Sequence, residues 1–135
     1  MHREAVSATA LAGFKNDFGS FKSAIIGQES GGRYGVANAQ GSGALGIGQI
    51  MPDTAKALSA RLGIPYQPNL LRGTSPQAMQ YQDRLTDAAL QEAWRAGGGD
   101  AEQAARYYFA GPDKSGHGPK TDQYGRDILR RMGSI

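Results

Sequence analysis

The sequence contains no cysteine, so neither a disulfide nor a thiolate metal site can form, and nothing in it marks a redox compartment. It has only two histidines, His2 and His117. They stand far apart, and neither a metal nor a cofactor is expected. No apolar run approaches the ~18 residues that a membrane span needs, so no spanning helix is expected. Met1 to Gly13 lack the basic region, apolar stretch and cleavage site of a secretory signal, and export is expected to use another route. A large excess of one charge is missing too: the formal net charge is +3 and the isoelectric point is near 9.3. This modestly favours approach to anionic polymers, whether nucleic acid, lipid surface or cell wall. No cluster of Lys and Arg interleaved with aromatics follows, and Arg130 and Arg131 read as cations favouring the C-terminal end of a last helix. A nucleic-acid partner is therefore not expected.

What is present suffices for a packed core: 39% apolar residues against 20% charged in 135 residues. At ~100–200 residues per domain this length fits one domain, residues 1–135. Gly and Pro cut the chain into short helix-like blocks, with no internal repeat and no alternating strand, so an all-α domain of about six or seven helices is expected. Residues 4–12 are Ala-rich and stop at Gly13. Residues 20–29 place Phe21, Ala24, Ile25 and Gln28 on one face, with Ser20 as the cap. Pro52 opens a block ended by Gly63, and residues 63–75 read as a connecting loop. Ser75-Pro76 start a long helix with a narrow polar stripe of Gln80, Arg84, Asp87, Gln91 and Arg95. Gly97-Gly98-Gly99 break it, and Asp100 with Gln103 has the spacing of a capping box. The small residues Ala101, Ala104 and Ala105 permit close packing there. Tyr124, Ile128 and Met132 recur every four residues up to Gly133.

Four segments carry chemistry. In Ile25-Ile26-Gly27-Gln28-Glu29-Ser30-Gly31-Gly32 a carboxylate stands at the end of a helix. Apolar neighbours at i−4 and i−3 and the negative end of the dipole both favour its neutral form, so a raised pKa is expected. A protonated carboxylic acid at neutral pH is what cleaving a glycosidic bond requires, because the departing oxygen must receive a proton. Taken alone, the segment also fits an ordinary solvated glutamate at a frayed helix end. The second segment, Gly41 to Pro52, contains a G-x-G-x-x-G run. A dinucleotide site is excluded because no strand precedes the run and no acid follows at ~20 positions. Its glycines instead let the backbone approach a neighbouring surface, and Gln49 can donate and accept toward a sugar amide. In the last two, Tyr107 to Pro112 and Gly118 to Tyr124, aromatic rings stand beside turn residues. They suit stacking on sugar faces and equally suit core or boundary aromatics.

In this order the four segments resemble the soluble lytic transglycosylase family and its goose-type lysozyme relatives, over roughly residues 18–132. The family's Glu-Ser-Gly is matched by Glu29-Ser30-Gly31. Its Gly-Ala-x-Gly-Leu-Met-Gln-Ile-Met-Pro-x-Thr-Ala is matched by Gly43 to Ala55. Its Ala-Tyr-Asn-Ala-Gly-Pro and Glu-Thr-x-x-Tyr elements are matched more loosely by Tyr107 to Pro112 and Lys120 to Tyr124. Three positions depart: Gly48 stands where the family has Met, Phe109 where it has Asn, and Lys120 where it has Glu. The resemblance implies a lysozyme-like fold around a saccharide cleft. It also implies Glu29 as acid and base, Gln49 and Met51 lining the cleft, and Tyr108 and Tyr124 near the catalytic carboxyl.

The implied reaction cleaves the β-1,4 bond between N-acetylmuramic acid and N-acetylglucosamine and leaves a 1,6-anhydro sugar. The implied partner is the peptidoglycan strand, met in the bacterial cell wall or periplasm. A hydrolytic lysozyme would commonly need a second carboxylate, for which Asp53, Asp83, Asp87 and Asp113 qualify only by type. A noncatalytic saccharide-binding module is the other alternative. A monomer is expected for the isolated domain, and the Gly-Pro-Lys-Thr run resembles wall-degrading domains of bacteriophage virion proteins, often parts of longer chains.

Overall fold

The structure, a computed structural model, describes residues 16–133. Among them five α-helices follow one another: α1 (Phe18–Ser30), α2 (Pro52–Leu62), α3 (Pro76–Ala96), α4 (Ala101–Ala110) and α5 (Pro119–Arg131). Short 3-10 turns occupy Pro68–Arg72 and Lys114–Gly116. No strand occurs among the described residues, where β pairing is confined to the isolated bridges Ala37–Leu45 and Leu45–Ile50. The fold is all-α, as the punctuation of the sequence implies. The helix expected at residues 4–12 lies outside the described residues.

Helix ends follow local chemistry. Proline stands at the first turn of α2, where its missing N–H costs nothing, and the N–H of Gly63 closes that helix on the carbonyl of Ala60. Asp100 caps α4 by accepting from the N–H of Glu102 at 3.1 Å. Thr121 reaches back from the first turn of α5 to accept from the N–H of Gly118 at 3.2 Å. Two expectations need correction. Ser20 is not the cap of α1: the helix starts two residues earlier, and the Asp17 carboxylate accepts from the Ser20 N–H at 2.8 Å. The segment 63–75 is not all irregular, because Pro68 opens a 3-10 turn there.

Backbone contacts divide the chain into two units, with the divisions falling inside α1 and α3. One is Ile26–Leu90; the other joins the described residues up to Ile25 with those from Gln91 onward. In the Ile26–Leu90 unit, Leu45, Ile50, Ala55, Leu58, Leu71, Tyr81 and Leu85 form a buried apolar cluster. Burying a side chain of this kind contributes ~1.5–3 kcal/mol. Its polar atoms are satisfied in a chain. Ser59 Oγ donates to the carbonyl of Ala55 at 2.8 Å, so the Tyr81 hydroxyl, 2.7 Å away, donates to Ser59 and accepts from the Gln67 N–H at 3.0 Å.

In the other unit Trp94 packs against Phe21 and Phe18, with ring centres 5.2 and 6.2 Å apart. Helices α4 and α5 lie against one another. Ala101, Ala104 and Ala105 are fully buried, and a methyl group at Gly125 would stand 3.2 Å from Cγ of Glu102. Small residues thus let the two helices close up.

Candidate active site

Glu29 occupies the last turn of α1, half-buried, in the Ile26–Leu90 unit. The helix stops immediately after it. Gly31 donates to the carbonyl of Gly27 at 3.1 Å and adopts a left-handed φ of 64° that glycine alone takes without strain. Ser30 stitches the end together: its hydroxyl donates to the carbonyl of Ile26 at 3.2 Å and accepts from the N–H of Gly32 at 3.2 Å, and Arg33 Nε donates to the Ser30 carbonyl at 2.9 Å. The carboxyl is therefore carried on a helix end with little freedom to fray.

The glycine-rich segment that follows is irregular yet fixed. Leu45 and Ile50 exchange both backbone hydrogen bonds, at 3.1 and 3.0 Å, across a tight turn of residues 46–49. The N–H of Gly46 reaches the carbonyl of Val36 at 2.8 Å. At the end of this turn Gln49 has φ 51°, the one non-glycine residue with positive φ among those described. Such a conformation costs an L-residue roughly 1–2 kcal/mol. Its side chain offsets that cost, since Nε2 donates to the carbonyls of Val36 at 3.1 Å and Gly46 at 3.0 Å. Both N–H groups of the Gln49 amide are thereby engaged within the loop, and only its oxygen is left for another molecule. Met51 follows with 45% of its surface exposed, and its methyl lies over Gly43.

Gln82 holds this loop, and sequence reasoning missed it. It is 1% exposed. Its Oε1 accepts from the N–H groups of Gly35 at 3.0 Å and Ile47 at 3.1 Å, while Nε2 donates to the carbonyls of Leu70 at 2.8 Å and Gly73 at 2.9 Å. A buried amide with all four bonds made is a rigid joint between backbone segments far apart in sequence. Gly46 permits the approach, because a methyl group there would stand 2.9 Å from Oε1 of Gln82. A signal was available: Gln82 and Thr86, four residues apart, fall off the polar stripe of α3, and both are buried.

Nearby, the Tyr34 hydroxyl donates to both carboxylate oxygens of Asp83, at 2.8 and 3.0 Å. That bond, with burial and the carboxylate charge adding to it, raises the Tyr34 pKa above its ordinary value. Of the other carboxylates considered, Asp53 is exposed in the first turn of α2. Asp113, in the other unit, accepts from the hydroxyl and N–H of Ser115, which hold its carboxyl below the usual range.

Tyr108 and Tyr124 belong to that other unit. Tyr108 is half-buried in the last turns of α4, and Tyr124 is buried on α5 at 6% exposure. Phe109 stacks on Tyr124 with ring centres 4.7 Å apart and planes 26° from parallel. Tyr107 donates to Oε2 of Glu92 at 2.6 Å. Arg106 ties α4 to α5 through Asp122 and bonds Glu102 at 3.4 Å on its own helix. Burial works against its charge, but these two carboxylates outweigh it and the guanidinium pKa stands raised. His117 Nε2 lies 2.9 Å from the carbonyl of Gly111. An open groove of about 740 Å³ in this unit is lined by Ser20, Ser23, Arg131 and Met132 among others, and by none of the candidate residues. Among the described residues no group of three or more acidic or histidine side chains is placed to hold a metal ion. No described helix is long and apolar enough to cross a membrane.

Residues 16–82 match the family model described as the Transglycosylase SLT domain. No curated protein and no solved structure matches the chain. The match contains Glu29, Gln49, Met51 and, as its last residue, Gln82; Tyr108 and Tyr124 lie beyond it. At family level the activity is peptidoglycan cleavage of the lytic transglycosylase type, an action on the cell wall. Residues 16–82 thus carry the signature of a transglycosylase SLT domain, consistent with the lytic transglycosylase family.

Proposed function

We propose that the protein cleaves the β-1,4 bond between N-acetylmuramic acid and N-acetylglucosamine in peptidoglycan, with Glu29 as acid and then base. The Glu29 carboxyl gives its proton to the bridging oxygen, which leaves as the 4-hydroxyl of N-acetylglucosamine. The carboxylate then takes the proton of the muramyl C6 hydroxyl, whose oxygen closes on the anomeric carbon. The product is a 1,6-anhydro sugar, no water is consumed, and Glu29 ends protonated as it began. Gln49 and Met51 line the saccharide cleft in this reading, and Tyr108 and Tyr124 are assigned to substrate binding.

The observation that carries the proposal is the family match over a segment in which a half-buried glutamate ends α1 just before a loop locked by Gln82. The strained Gln49 supports it, because backbone strain held in place by hydrogen bonds clusters at functional sites. Transfer to C6 rather than to water is favoured because none of the four aspartates stands out as a partner for Glu29: Asp83 and Asp113 serve Tyr34 and Ser115, Asp53 is exposed at the start of α2, and Asp87 belongs to the polar stripe of α3. Inverting or retaining hydrolysis would commonly draw on a second carboxylate.

Incubation with purified sacculi, followed by mass analysis of soluble products, tests the proposal. Anhydromuropeptides are expected from the parent protein. A Glu29→Gln variant should release them ~10²–10⁴-fold more slowly, with an unchanged melting temperature. Reducing-end muramic acid would make the enzyme a hydrolase, and intact glycan would make the chain a binding module.

A further inference from the structure

Phe109 and Lys120, two of the three positions at which the sequence departs from the pattern it resembles, both adjoin Tyr124, one by stacking and the other as its neighbour one turn back on α5. Phe109 sits in the last turn of α4 with 46% of its surface exposed, stacked on Tyr124, which is only 6% exposed. One face of the phenyl ring is thus covered and its orientation fixed before any ligand arrives, which lowers the ordering cost of binding. Lys120 is exposed in the first turn of α5, four residues before Tyr124 and so on the same face of that helix. A cation at a helix N-terminus opposes the dipole. The acid of the same turn, Asp122, is bonded to Arg106. Lys120 therefore opposes the dipole of α5 one helical turn from Tyr124, the ring on which Phe109 stacks. A local rule broken without a structural gain points to a role in function.

We propose that Phe109 and Lys120 form a muramyl-recognition platform, a proposal that rests on the peptidoglycan reading above. The ring of Phe109 takes the apolar C–H face of an N-acetylhexosamine. The Lys120 ammonium pairs with the carboxylate that only the muramyl residue carries, either as a free lactyl group or on its stem peptide. Stacking supplies affinity for any such sugar, and the charge supplies the choice between the two sugars of the strand.

The test measures binding calorimetrically in the Glu29→Gln protein, so that turnover does not interfere. The ligands are an N-acetylglucosamine tetramer, a peptide-free muramyl tetrasaccharide and the same tetrasaccharide bearing stem peptides. At least one muramyl ligand should bind more tightly than the tetramer, and whichever does identifies the carboxylate. Phe109→Leu keeps apolar packing on Tyr124 but removes the flat face, and it should weaken all three ligands by about tenfold with an unchanged melting temperature. Phe109→Trp should retain binding. Lys120→Gln should remove the muramyl preference, leave the tetramer unaffected and abolish the salt dependence of that preference. Unchanged affinities in Phe109→Leu would overturn the platform, as would an equal loss for all ligands in Lys120→Gln. If the parent leaves sacculi intact while these affinities shift as expected, the cleavage proposal fails and the platform stands. If sacculi are cleaved and Phe109→Leu binds normally, the reverse holds.

Discussion

Residues 35–50 and the α4–α5 pair both carry candidate site residues, and they are held in opposite ways. The first has almost no regular structure and is fixed by hydrogen bonds to one buried amide. The second is regular helix fixed by alanines, a glycine and charged bonds of Arg106. In the loop each polar contact has one specific partner, and losing that partner strands several backbone groups at once. In the helix pair the packing is spread over many atoms and the charges are partly wetted, so residues at its tips can change without loosening it. The family match covers the first region and stops at Gln82; the second lies beyond it.

The comparison is broken most directly at Gln82. Replacement by Leu would leave two N–H groups and two carbonyls without their partner. At ~1–3 kcal/mol for each buried group unsatisfied, a loss of about 3–5 kcal/mol is expected, after partial relaxation. Urea unfolding measures it, and a loss under ~1 kcal/mol would show that the loop does not depend on this joint. Arg106→Met should cost less, about 1–2 kcal/mol, because Asp122 and Glu102 are 45% and 31% exposed and water screens them. The deficit should shrink as salt is added, and a loss as large as that at Gln82 would erase the contrast.

Smallest of all is Tyr34→Phe, worth at most ~1 kcal/mol for a partly exposed bond. Its pH dependence sharpens the reading. The folded pKa of Tyr34 is raised above 10.0 by the Asp83 bond. The stability from that bond is complete below 10 and disappears as pH rises through the folded value. Melting curves of the parent and the Phe variant should converge above about pH 10. A gap that widens with alkalinity would assign the bond the wrong sign.

Much of the fold was legible because its signals are local. Pro52 and Gly63 bracket α2, and Asp100 opens α4, since a missing N–H, a chain stop and a capping carboxylate all act within a few residues. The start of α1 was misjudged for the same kind of reason: Asp17 and Ser20 are both competent caps, and only coordinates decide between them. Of the candidate site, the position of Glu29 at a helix end was readable from the glycines after it. For Gln82 only its place off the polar stripe of α3 was readable; its role was not, because its four partners come from residues 35, 47, 70 and 73, and no local pattern announces bonds of that separation. The Phe109–Tyr124 stack was equally hidden, the two rings lying on different helices.

The amide of Gln49 couples shape to polarity. Because its nitrogen fastens the turn to Val36 and Gly46, the side chain can present an incoming molecule with a lone pair and nothing else. A visitor must bring its own hydrogen. No substitution at this position can reverse that demand without also releasing the curve of the backbone that creates it.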